Sequence, residues 1–66
     1  MNVAKSIKIA LVQCDKQQAW LAEQMNTSRQ QISNWCSTGR MREHRLEEIS
    51  KIFGLKVSEF LALGED

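Results

Sequence analysis

From Ser28 to Ser37 the chain reads Ser-Arg-Gln-Gln-Ile-Ser-Asn-Trp-Cys-Ser. Its polar side chains are a guanidinium, amides and hydroxyls, with no carboxylate among them. Those groups match the edges of DNA bases. Arg can donate to guanine O6 and N7, Gln and Asn can pair with adenine N6 and N7, and Ser can serve either. A helix that merely stays solvated usually mixes Glu with Lys. Arg29 and Ser33 lie four residues apart, as do Gln30 and Asn34, so on a helix each pair shares a side. Ile32, Trp35 and Cys36 fall on another side and supply an inward anchor. The plain alternative is a polar surface helix with no ligand.

Such a helix needs a start, a stop and partners. Ser28 followed by Gln31 reads as a capping box, in which the hydroxyl satisfies a backbone N–H at the helix start. Asp15 followed by Gln18 reads as a variant of the same device. Between them lies Met25-Asn26-Thr27, and Asn tolerates the left-handed conformation of a tight turn. Residues 16–36 are therefore predicted as helix, three-residue turn, helix. Helical spacing recurs elsewhere. Ile7, Ala10, Leu11 and Cys14 form one face of a first helix, and Leu21, Ala22 and Met25 form a stripe on the second. Leu46, Ile49, Ile52 and Phe53 mark a fourth helix. Val57, Phe60 and Leu61 mark a fifth, with Gly64 as its expected stop. No proline interrupts the chain, and strict apolar–polar alternation is absent, so strands have little support.

The segment Gln18-Ala19-Trp20-Leu21-Ala22 through Ser28-Arg29-Gln30-Gln31-Ile32-Ser33-Asn34-Trp35 resembles the helix-turn-helix of the phage repressor and Cro proteins and their Xre-like bacterial relatives. Ala22 takes the small position where the two helices touch, Asn26 the turn, and Ile32 and Trp35 the core positions. The resemblance extends to Gly39, the Leu46-Ile49-Ile52 helix and the stretch from Gly54 to Leu61. There are departures. Asn26 stands for the usual turn glycine, Thr27 for an aliphatic residue, and Lys56 for a Ser or Asp cap, and the loop before the fourth helix lacks its proline. The resemblance implies an all-α, compact five-helix, lambda-repressor-like DNA-binding domain spanning 1–66. It implies that Arg29, Gln30, Ser33 and Asn34 read bases. It further implies that Gln18, Ser28, Arg40 and Arg42 contact or position the DNA backbone.

Composition bounds the alternatives. Sixty-six residues make one domain, and a chain this short needs compact packing, a metal, disulfides or a partner. Cys14 and Cys36 permit one internal bridge at most, there is no CxxC pair, and His44 has no cysteine near it, so no structural zinc site is expected. Both cysteines read as small buried residues with reduced thiols. The longest apolar run, Ile9 to Val12, falls far short of the roughly 20 residues of a membrane span. No secretory signal is recognisable, and a cytoplasmic, nucleoid-associated location is expected. The net charge is +1, but residues 1–42 carry +4 and residues 43–66 carry −3. A basic half facing DNA and an acidic far half would account for that split. No catalytic grouping, cofactor or small-molecule substrate is indicated.

Some residues keep more than one reading. Trp20 points away from Leu21 and Met25; it either packs under a neighbouring helix, joins a dimer contact or lies on DNA backbone. Lys16 points to DNA or to water, and Lys5 and Lys8 read as solvated charge. His44, beside Glu43, Glu47 and Glu48, reads as part of a helix charge network. The apolar surplus among Phe60, Leu61 and Leu63 is a candidate dimer surface. Taken together these features predict a Cro-like transcriptional repressor that binds a pseudo-palindromic, double-stranded operator as a homodimer. Its recognition helices would sit about 34 Å apart in successive major grooves. An antitoxin-type regulator and a small protein–protein adaptor on the same fold are the alternatives.

Overall fold

A computed structural model describes residues 3–65. Among these there are five α-helices and no strand: α1 Val3–Cys14, α2 Gln18–Gln24, α3 Arg29–Thr38, α4 Glu43–Ile52 and α5 Val57–Ala62. The helices are short, so none would hold together alone; their stability comes from the apolar face each one buries. α1 packs on α3 and α5, α2 packs on α3, and α4 packs on α5. The buried cluster draws on every helix, with Ile7, Leu21, Ile32, Ile49 and Phe60 fully enclosed. Truncating Phe60 to Ala would remove about 3–5 kcal/mol, as much as the core of so small a domain usually supplies in total.

Three of the four interhelical turns use one piece of chemistry. After α1, Asp15 N–H donates to Val12 O at 3.1 Å and Lys16 N–H to Leu11 O at 2.9 Å, with Asp15 at φ +55°. After α2, Asn26 N–H donates to Glu23 O and Thr27 N–H to Ala22 O, with Asn26 at φ +52°. After α4, Gly54 N–H donates to Lys51 O and Leu55 N–H to Ser50 O, with Gly54 at φ +70°. These paired bonds form the Schellman motif, which satisfies carbonyls that a helix end leaves open. The expected left-handed Asn26 is therefore observed. The remaining turn follows α3, where Gly39 at φ +69° donates its N–H to Trp35 O. A Cβ at Gly39 would meet Ala4 only at 3.8 Å, so the backbone angle and not crowding favours glycine there.

Three expectations are corrected. Asp15 caps no helix start: it is the left-handed residue that ends α1, and α2 starts after Gln17 without a side-chain cap. Cys14 is exposed, because the buried stretch of α1 ends at Leu11 and residues 12–14 lie outside the core. Gly64 is not the stop of α5, which ends at Ala62 and runs on through i+3 turns without a positive φ. Phe60 is fully buried, and Leu61 and Leu63 are half-buried against the same core.

Trp20 takes the first of its three readings. It is half-buried, its ring centroid 6.1 Å from that of Phe53, which in turn stacks 6.3 Å from Phe60. Lys16 Nζ lies 5.6 Å above the Trp20 ring, a cation–π distance.

Two buried hydroxyls were not foreseen. Ser6 Oγ donates to Leu61 O at 3.3 Å, tying α1 to α5, and Ser50 Oγ donates to Leu46 O at 2.7 Å. At the start of α5, the Glu59 carboxylate accepts from the Lys56 N–H at 2.9 Å. A lysine ammonium has no lone pair to offer in return, so Lys56 supplies only half of a capping box.

Candidate nucleic-acid interface

α3 is held from behind. Ile32 is fully buried, Trp35 nearly so, and Cys36 is half-buried. Its N-terminus is fixed by Ser28, whose Oγ accepts from Gln31 N–H at 3.1 Å. That bond uses a lone pair of the hydroxyl and leaves its hydrogen free to donate. Anchored in this way, the helix exposes Arg29, Gln30, Ser33 and Asn34. The acid-free flank read from the sequence is thus an outer surface. Gln30 Nε2 donates to Asn34 Oδ1 at 3.1 Å, as their four-residue spacing permits.

The neighbouring residues predicted to touch DNA backbone fall into two places. Gln18, at the first turn of α2, shares a shallow groove with Arg29, Gln30 and Ser33. Its Nε2 lies 3.7 Å from Cys36 Sγ and donates to it, so its amide rests across α3. Arg40 and Arg42, in the loop after α3, line a separate and larger open groove of about 580 Å³. Asn34 lines that groove too, so the Gln30–Asn34 bond joins the two places. All eight predicted site residues are exposed.

Sequence reasoning missed two contributors to the larger groove. Arg45 and His44, from the first turn of α4, line it beside Arg40 and Arg42. Arg45 Cζ sits 5.8 Å over the Trp35 ring, and its Nη1 lies 3.3 Å from Glu48 Oε2. Three guanidiniums thereby converge where chain order had placed the boundary between a basic and an acidic half. The regularity that could have revealed Arg45 is its position three residues after Arg42, in the next helical turn of the same surface.

One acid lies beside the basic side chains. Glu23 of α2 lines a groove together with Arg29, so the guanidinium has an acid across from it even though α3 itself has none. The Cys36 thiol is pushed above its ordinary range by burial, opposed by the nearby Lys8 ammonium.

Among the described residues, no group of three or more His, Cys, Asp or Glu is placed to hold a metal ion. No helix among them is long and apolar enough to cross a membrane. No protein-family model matches the chain, and neither the curated proteins nor the solved structures give a match.

Proposed function

We propose that this chain is a sequence-specific DNA-binding repressor of the Cro type, with α2, the Asn26 turn and α3 acting as a helix-turn-helix. The observation that carries the proposal is the exposed flank of α3. It offers one guanidinium, two amides and a hydroxyl, has no acid of its own, and is anchored by Ile32 and Trp35. Arg29, Gln30, Ser33 and Asn34 read base edges in the major groove. Gln18 and Ser28, at the starts of the two helices, fix the register against the backbone. Arg40 and Arg42 grip phosphates on the other side, with Arg45 beside them. Two copies bind an inverted repeat as a homodimer and exclude polymerase from it.

Arg29→Ala tests the assignment of base reading. A bidentate contact to guanine is worth about 1–3 kcal/mol of discrimination. The variant should lose that much on its specific duplex and relax preference at one base pair. Equal weakening on every duplex would make Arg29 a backbone contact instead.

A further inference from the structure

The turn after α3 differs from the other three at one bond. In the Schellman turns, the residue after the left-handed one donates its N–H to a carbonyl five residues back: Lys16 to Leu11 O, Thr27 to Ala22 O and Leu55 to Ser50 O, each at 2.9 Å. The counterpart after Gly39 is Arg40, and its corresponding carbonyl is Trp35 O. Gly39 N–H takes that oxygen at 2.9 Å, the single backbone bond of an αL turn. The Arg40 N–H turns instead to a side chain and donates to Thr38 Oγ1 at 3.3 Å. The Thr38 hydroxyl in turn donates to Asn34 O at 2.9 Å.

A hydroxyl has one hydrogen to donate and two lone pairs to accept with. Thr38 commits its hydrogen to Asn34 O and a lone pair to Arg40 N–H, so it has no donor left for a phosphate. Both partners are backbone groups, whose donor and acceptor roles are fixed. On a helix, threonine divides between two side-chain rotamers, and the bond to the carbonyl one turn back selects one of them. The same bond thereby holds the oxygen where the Arg40 N–H meets it. Thr38 and Arg40 are exposed, neither belongs to the core, and both line the larger groove with Arg42 and Arg45. We infer that Thr38 is a positioning residue for Arg40, given the DNA-binding proposal on which this inference rests. Its hydroxyl clasps the Arg40 backbone to the end of α3, and the clasp presents the Arg40 guanidinium to a phosphate.

Affinity for a duplex recovered by selection tests this at one fixed salt concentration, below the circular-dichroism melt of every variant. Thr38→Val keeps the branched shape without the hydroxyl and should weaken binding about three- to tenfold. Thr38→Ala also lacks the hydroxyl, is the stronger helix former, and should weaken binding to the same extent. Thr38→Ser keeps the hydroxyl and should stay within about twofold of the wild type. In an Arg40→Ala background, Thr38→Val should change affinity by less than about twofold, because the side chain it positions is gone. In an Arg42→Ala background the whole loss should persist. A general weakening of the fold would act alike in both backgrounds. The inference is overturned if Thr38→Val and Thr38→Ala bind like the wild type, or if Thr38→Ser binds as poorly as they do. It is also overturned if the loss persists with Arg40→Ala, or vanishes with Arg42→Ala. A wild-type chain that selects no duplex at all overturns the DNA-binding proposal and this inference together. A selected duplex bound equally well with and without the Thr38 hydroxyl overturns the inference alone.

Discussion

The groove between α3 and α4 makes a quantitative prediction about salt. Arg40 and Arg42 are exposed there, whereas Arg45 is held between the Trp35 ring and Glu48. Each phosphate neutralised on duplex DNA contributes about 0.9 to the slope of log affinity against log salt. A rise from about 50 to 200 mM salt is a fourfold change, so one contact is worth roughly 3.5-fold in affinity over that range. In a bound dimer each substitution removes two contacts. Arg40→Ala and Arg42→Ala should therefore each flatten the slope by about 1.8 and remove roughly twelvefold of the salt-dependent loss. Arg45→Ala should flatten it by less than half as much, because Glu48 already offsets part of its charge. Lys51, in the last turn of α4, serves as the control and should leave the slope unchanged. Fluorescence anisotropy with a labelled duplex across that salt range gives the wild-type slope and the four variant slopes. Arg40→Ala and Arg42→Ala lines running parallel to the wild type would remove this groove from the interface.

Two further outcomes probe the scaffold. Asn26 sits at φ +52°, where an ordinary L-residue pays about 1–2 kcal/mol and Asn pays less. Asn26→Ala should thus cost about 1 kcal/mol, a melting point roughly 4–8 °C lower in a domain of this size, while Asn26→Gly should be neutral or slightly stabilising; a clear loss with Gly, read by circular dichroism melts, would refute that account of the turn. Cys14 is exposed while burial raises the Cys36 thiol, so alkylation followed by mass spectrometry near neutral pH should modify Cys14 several-fold faster. Equal rates would contradict the half-buried placement of Cys36.

The parts of the fold that were legible were those set by neighbouring residues. The Ser28 cap, the left-handed Asn26 and the inward Ile32–Trp35 pair each depend on contacts within a few residues, and periodicity or turn chemistry reveals such contacts. Asp15 was misread because Asp serves both at a helix start and in the left-handed position after a helix. Only the point at which α1 stops packing distinguishes the two. Cys14 continues the apolar spacing of α1, but spacing marks a stripe and says nothing of how far its partner helix reaches. Arg45 and His44 were hidden for a different reason. They enter the groove because the loop after Gly39 returns α4 beside the end of α3, a long-range placement that local pattern does not carry. The same distance effect explains Ser6, which meets Leu61 across 55 residues of chain.

The central claim is that the outer flank of α3 reads bases from two copies on one duplex. Selection of bound duplexes from a random pool tests it most directly. The predicted result is an enriched inverted repeat whose half-site centres lie about 10–10.5 base pairs apart, with enrichment abolished when Arg29, Gln30, Ser33 and Asn34 are all replaced by Ala in a chain that melts like the wild type. A pool that shows no enrichment, or a motif that survives those four replacements, would contradict it.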